Sequence, residues 1–311
     1  MRSVSLLGAP EKATNSIISG DFSTSSTVVI CTRNRPALLQ KCLAAVRLLN
    51  PPPAEILVID NSEGDDATRR VALESKARYS VEPIPGLSRA RNRALSECRT
   101  EVIAFIDDDV IPEPDWLAHL VAPFSDPETG ASTGRVITPD SREGEEPHES
   151  RSINNQHPHW VEIAAFGGLG FGANMAFRRS ALPDGRFFDE RLGRGAPFEI
   201  AEESYAFVWL LSRGHRVVYV PSAAVHHPPL SRTTIEREAR NSFSYWLLLL
   251  SEFPQQRPNL IRFLFRRLRG KPLEWPRNTQ EPGEIVSSSW HVLIPAAFEG
   301  LFLFIRTPKS R

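Results

Sequence analysis

Cysteine is scarce in this chain of 311 residues, and what there is does not pair. Cys31, Cys42 and Cys98 lie far apart with no C-x-x-C spacing, which excludes a disulfide framework and a thiolate zinc site and fits a reducing, cytoplasmic setting. Excess charge is missing too. Lys plus Arg number 37 and Asp plus Glu number 37, whereas a whole-protein nucleic-acid binder is normally basic. No run of about twenty apolar residues occurs, so no transmembrane helix is required. A phosphate-binding P-loop is absent, and the GGLGFG stretch (167–172) does not have the G-x-G-x-x-G spacing of a dinucleotide site. The apolar stretch near the start is too short, and too soon followed by charge, for a secretory signal. Residues 1–26 therefore read as a poorly ordered polar lead-in.

What is present begins at Thr27. Short β-branched runs (Val28–Cys31, Ile56–Ile59, Val102–Ile106) alternate with helical patterns, one opened by Pro36 and others over 66–76 and 87–98. Strands alternating with helices predict an α/β fold with a mostly parallel central sheet covered on both faces. In such sheets ligands bind beyond the carboxyl ends of the strands. The polar groups there are Thr32-Arg33, Asp60-Asn61 and Asp107 to Asp109, and all three sets are expected to converge on one crevice. Residues 126–160, rich in Pro, Gly, Glu, Ser and His, read as an irregular insertion. A helix over 202–213 and a strand over 216–220 follow.

Asp107, Asp108 and Asp109 carry the sharpest chemistry. Three adjacent carboxylates repel one another and become reasonable around a divalent cation such as Mg²⁺ or Mn²⁺, which takes carboxylate and phosphate oxygens. A solvated acidic turn is the bland alternative, disfavoured by the apolar strand directly before it. Arg89, Arg91 and Arg93 near a helix start suit phosphate; Arg91 leads for ligand contact with Arg89 behind it, while Arg93 has Glu97 four residues on and reads as a surface pair. Glu202 and Glu203 open a helical pattern, where acids are expected on dipole grounds alone; the functional reading is a general base. His226 and His227 follow a strand, and one of them could complete a metal site. His157 and His159 fall in the insertion and carry little weight.

In order along the chain stand VVICTRNRP (28–36), ILVIDNS (56–62), GLSRARNRAL (86–95), AFIDDDVIPEPDWL (104–117), GFGANMAFRRSAL (170–182), FDERLGRG (188–195), AEESYAF (201–207) and VVYVPSAAVHHP (217–228). Together they resemble glycosyltransferase family 2, bacterial-type enzymes of the GT-A fold. The resemblance implies a GT-A domain over 27–229, with a nucleotide-binding half (27–125) and an acceptor and catalytic half (160–229). It implies inverting, metal-dependent transfer of a sugar from a nucleotide-diphosphate donor, UDP by default, to an acceptor hydroxyl on a glycan, lipid-linked carrier or protein. Thr32 and Arg33 would line the nucleoside pocket, Asp60 would hydrogen-bond the base, and Arg91 would lie near the nucleotide. Asp108 would contact the ribose, Asp107 would hold a ribose or a metal-bound water, Asp109 would bind the metal, His227 would be a further metal ligand, and Glu203 the base. The family often has Glu-Asp where this chain has Glu202-Glu203, which leaves the choice between the two carboxylates open.

Two other readings compete: a nucleotidyltransferase, disfavoured because the turn after the first strand lacks glycine, and a non-catalytic nucleotide- or carbohydrate-binding protein of the same fold. Residues 230–311 lie beyond the resemblance and read as a helical, basic and apolar extension. Between Phe253 and Leu273 six residues are basic and none acidic. That composition suits either a peripheral helix on the inner face of a membrane, with contact through residues 243–306, or a helix packed on the domain with a solvated basic face. Trp290 to Ile305 is broken by His291, Pro295 and Glu299, so it is expected to pack or lie at an interface rather than span.

Overall fold

The computed structural model describes residues 25–64, 66–139, 149–166, 168–229, 234–269 and 290–308. The lead-in up to residue 24 and the acidic part of the insertion (140–148) lie outside them. β1 (Ser26–Thr32) is flanked in parallel by β2 (Glu55–Asp60) and β4 (Val102–Asp107), and β3 (Arg78–Val81) pairs in parallel with β2. Side chains alternate across this sheet as the period-2 geometry of a strand demands. Val29, Leu57, Ile59, Ile103 and Phe105 face one core; Val28, Ile30, Val58, Ala104 and Ile106 face the other.

Helices cover both faces. α1 (Pro36–Val46) starts on a proline preset for the first helical position and buries Leu39, Cys42, Leu43 and Val46. α2 (Asp66–Glu74), α3 (Leu87–Glu97) and α4 (Trp116–Val121) complete the first half. The sheet then turns mixed. β8 (Asn174–Arg178) lies antiparallel between β4 and β6 (Thr129–Ile137), and β9 (Arg216–His226) runs parallel to β6. The two-residue β5 (Ile111–Pro112) and β7 (Arg151–Ile153) both pair antiparallel with β9. α5 (Trp160–Phe166) and α6 (Glu202–Ser212) pack together over this half.

Two sequence expectations need correction. Much of the stretch 126–160 is regular: Thr129–Ile137 is a nine-residue strand inside the sheet. Its run of Gly130, Ala131, Ser132, Thr133 and Gly134 lacks a β-branched apolar signature because neighbours approach too closely for one. A Cβ on Gly134 would sit 2.0 Å from the Ala223 carbonyl oxygen. The last strand also continues past Val220 to His226. Pro221 is absorbed by a register shift between Val220 and Ala224 opposite Gly134 and Arg135, a bulge that leaves the missing proline N–H without consequence.

Among the described residues beyond β9 lie the α-helices α7 (Ile235–Glu252), α8 (Arg257–Leu268) and α9 (Trp290–Arg306). Tyr245, Leu248, Leu249 and Leu260 join the same core as α5 and α6. No helix among the described residues is long and apolar enough to cross a membrane.

Candidate active site

Register brings the strand-end groups together. Thr32 lies beside Asp60, and Cys31 beside Asp107. Beyond β4 the chain turns through Asp108 and Asp109, then pairs as β5 with the end of β9, which sets His227 against the turn. The strand-end groups converge as expected.

The three aspartates have different surroundings. Asp108 is fully buried; Thr32 Oγ1 donates to its Oδ2 at 2.5 Å, and the Arg35 guanidinium lies 2.6 Å from its Oδ1. Burial pushes Asp108 up to about 6, even though the Thr32 hydroxyl and Arg35 both favour the charged form. Arg35 also donates to Asp109 Oδ2 at 3.1 Å. Asp107 points toward Arg91, 3.8 Å away, and burial raises its pKa in spite of that arginine.

Asp107, Asp109 and His227 each offer one ligand atom, all within 4.8 Å of one another. These residues fit a divalent cation on two further grounds. Asp109 Oδ1 is shielded from solvent and has no hydrogen-bond partner, with His227 Nε2 3.7 Å from it. His227 Nδ1 lies 2.6 Å from the Pro228 carbonyl oxygen. A carbonyl only accepts, so the proton belongs on Nδ1 and the lone pair of Nε2 faces the carboxylates, as a metal-binding imidazole requires.

Asp60 is buried at the end of β2 and accepts from Ser62 Oγ and Tyr79 Oη, both at 2.7 Å. Arg33, the residue after Thr32, is exposed. Asn61 donates to the carbonyls of Glu82 and Ile84 and accepts from Gly86 N–H, which fixes the loop leading into α3.

α3 buries a polar face. Ser88 donates to the Leu192 carbonyl, Asn92 donates to the Phe188 carbonyl, and Asn92 accepts from the amides of Phe187 and Phe188. The Arg-rich segment is accordingly paired throughout: Arg89 with Glu190 at 2.7 Å, Arg93 with Glu97 at 2.5 Å, and Arg91 with Glu202 at 2.7 Å. Arg91 is 2% exposed; it also donates to the Gly172 carbonyl at 3.1 Å and lies over the rings of Phe105 and Phe188. A Cβ at Gly172 would stand 2.6 Å from this guanidinium, so glycine is what admits it. Arg91 is thus a buried joint between the end of β4 and the start of α6.

Glu202 and Glu203 stand at the start of α6, after a loop in which Glu199 (φ 55°) and Ala201 (φ 64°) are left-handed. Such backbone is costly for residues with a Cβ, and the loop is braced from α7: Arg237 donates to both Glu199 oxygens at 2.6 and 2.8 Å. Glu202 is taken up by Arg91. Burial first, and the adjacent Glu202 carboxylate second, push Glu203 up to about 8 against the pull of Arg91.

Arg35, Tyr79 and Gly172 were not singled out by sequence reasoning. Arg35 stood in the quoted TRNRP turn, one residue before the proline that opens α1, and that position was its signal. His226 reaches Glu113 at 2.5 Å on the outer side, and His157 and His159 lie against each other in the second half; none of these three belongs to the cluster.

Known proteins resemble this chain. The sequence model of "Glycosyl transferase family 2" matches residues 27–185. The chain is 28% identical over 228 residues to the pre-mycofactocin glycosyltransferase of Mycobacterium tuberculosis, covering 67% of this chain and 44% of that one; it therefore spans less than half the length of that relative. Among solved structures, S. aureus TarS 1-349 in complex with UDP-GlcNAc superposes with a TM-score of 0.61 at 16% identity, over 91% of this chain and 81% of that one. The mannosyltransferase from Pyrobaculum calidifontis in complex with GDP-Man and Mn²⁺ gives 0.56 at 17% identity, over 91% and 76%. With a GT-A fold, strand-end carboxylates and a family match over half its length, the chain belongs to glycosyltransferase family 2.

Proposed function

We propose that this chain is a glycosyltransferase that moves a sugar from a nucleoside-diphosphate donor to an acceptor hydroxyl by a single inverting displacement. The observation that carries the reading is the strand-end cluster of Asp107, Asp109 and His227, with the shielded and unpartnered Asp109 Oδ1 at its centre. These residues would hold Mg²⁺ or Mn²⁺, which when bound supplies positive charge against the donor diphosphate.

The chain's own residues divide the remaining work. Thr32, Arg33 and Asp60 stand at the strand ends where the nucleoside would bind, and Asp108, held by Thr32 and Arg35, is the residue assigned to the ribose. Glu203 removes the proton from the acceptor hydroxyl as that oxygen attacks the anomeric carbon and the bond to the diphosphate breaks. Two features favour Glu203 over Glu202 as the base. Glu202 is held by Arg91, and a carboxylate with a pKa raised to about 8 is a stronger base than an ordinary one. UDP is the favoured nucleotide; the UDP-GlcNAc and GDP-Man complexes of the structural neighbours support a nucleotide-sugar donor in general. The acceptor class comprises glycans, lipid-linked carriers and proteins.

Calorimetric titration with UDP, GDP and dTDP, each with Mn²⁺ and with EDTA, tests this reading on wild type and Asp109→Asn. Metal-dependent binding of one nucleotide, lost in the variant, supports it. Folded protein that binds none of them refutes it in favour of a non-catalytic member of the fold.

A further inference from the structure

α9 is built inside out for a helix at a protein surface. Its inner face is narrow: Ala296 and Gly300 are buried, with a Cβ at Gly300 placed 2.8 Å from the Arg240 carbonyl oxygen, and Ser244 donates to the Gly300 carbonyl. Leu303 and Phe304 flank that contact and pack on the main core. The outer face should then be polar. Instead Ile294, Phe298, Leu301, Phe302 and Ile305 stand exposed, Phe298 and Ile305 at 70% each. Steps of four, three, one and three residues place these five side chains on a single stripe opposite the buried one. Glu299 lies off the stripe, in a polar groove with Arg237 and Arg240. Arg306 ends the stripe, its guanidinium 3.9 Å from the Phe302 ring centre.

α8 repeats the arrangement with more charge. Its inner face carries Leu260 and Phe263, the latter stacked on Phe166 at 4.4 Å. Its outer face exposes Ile261 and Phe265 with Arg257, Arg262 and Arg269 around them. No acidic residue occurs from Phe253 to Leu273. Exposed apolar side chains rimmed by cations, on helices too short or too polar to span, are the chemistry of a helix lying in a lipid headgroup layer.

We propose that the outer faces of α8 and α9 dock this protein on the surface of a bilayer containing anionic lipid. Charge selects this occupant over a second copy of the chain, which would bring the same arginines to the contact. The inference does not depend on the transfer reaction, because it concerns faces turned away from the core that carries Glu203.

The test is co-sedimentation of the full chain with vesicles of phosphatidylcholine, with and without phosphatidylglycerol. The variants are Phe298→Ser/Ile305→Ser and Arg262→Glu/Arg269→Glu. Both pairs of side chains are exposed, so the fold is retained, which circular dichroism and an unchanged melting temperature verify. Wild type should favour the anionic vesicles by about tenfold or more, consistent with a few arginines near a charged surface. The apolar variant should lose about tenfold or more of that partition, and the charge-reversal variant its preference for phosphatidylglycerol. Absence of wild-type binding to either vesicle overturns the proposal, as does unchanged binding by both variants. Self-association in light scattering that Phe298→Ser/Ile305→Ser abolishes, without vesicle binding, assigns the stripe to a second copy and overturns it equally.

Discussion

Two groups of carboxylates meet at Arg91 and are handled in opposite ways. Asp107 to Asp109 follow a strand whose apolar residues are all buried, and three neighbours from other parts of the chain (Thr32, Arg35, His227) approach them with a donor, a cation and an imidazole lone pair. Two oxygens, Asp108 Oδ1 and Asp109 Oδ1, are still left without a hydrogen bond, and only Asp109 Oδ1 has no arginine within ion-pair distance. Glu202 and Glu203 follow a loop with two left-handed residues, and their charge is settled internally: Arg91 takes one, and burial, with the repulsion of Glu202 behind it, raises the other. The first group leaves an oxygen open to a cation from outside, as the proposed metal site requires; the second leaves a carboxylate with a raised pKa, as the proposed base requires. Sequence adjacency of acids is the same in both, and the direction from which positive charge arrives separates the roles.

The contrast breaks most readily at Glu203. Glu203→Gln should lower kcat by roughly 10²- to 10⁴-fold, the range for a lost general base, while nucleotide affinity stays at the wild-type value; retained turnover in a steady-state assay would remove Glu203 from the reaction. Its pH dependence has a definite sign. The carboxylate acts only when deprotonated, and Glu202, Arg91, Asp107 and Tyr245 are the groups that face it. In wild type kcat/KM should therefore climb with pH on a limb with its midpoint near 8, shifted lower when a divalent cation is bound. Glu203→Gln should lack that limb.

Arg91→Met comes next. It leaves the buried Glu202 without its cation, and loss of one partner of such a pair costs about 3–5 kcal/mol, to be read as a lower midpoint in urea unfolding. A stable Arg91→Met protein would mean that the two groups do not share a joint. Asp109→Asn should weaken metal-dependent nucleotide binding by about a hundredfold with little change in unfolding, since the carboxylate serves an incoming ligand rather than the fold. Arg237→Ala is the mildest. The Arg237–Glu199 pair is exposed and such pairs are weak, so kcat should fall by only about two- to fivefold, with Arg237→Lys recovering part of it and nucleotide affinity unmoved.

The parallel half of the fold was legible because each of its strands is a short β-branched run ending in a polar residue, and the crevice followed from those ends. β6 was not legible, since Gly130 to Gly134 avoid bulk for the sake of tight neighbours, and small residues carry no period. Asp109 and His227 could be read from position directly after a strand. Arg91 could be read as important but not as buried: a guanidinium enters a core only when a distant acid meets it, and nothing near residue 91 announces Glu202. The same holds for the brace from Arg237, whose partner Glu199 lies on the other side of β9. The proposed division into a 27–229 domain and a following extension has to accommodate that brace, because α7 reaches the loop that precedes Glu202 and Glu203.

The candidate cation site joins the turn after β4 to the end of β9, two segments far apart in the chain and held side by side only when β6, β8 and β9 are in place. A cation there has no equivalent arrangement to occupy in the unfolded chain, so by mass action it favours the closed sheet, by about 2.7 kcal/mol at roughly one hundred times its Kd. The melting temperature should thus rise with the logarithm of Mn²⁺ concentration, and Asp109→Asn should flatten the rise. Thermal stability becomes a gauge of site occupancy that requires neither donor nor acceptor.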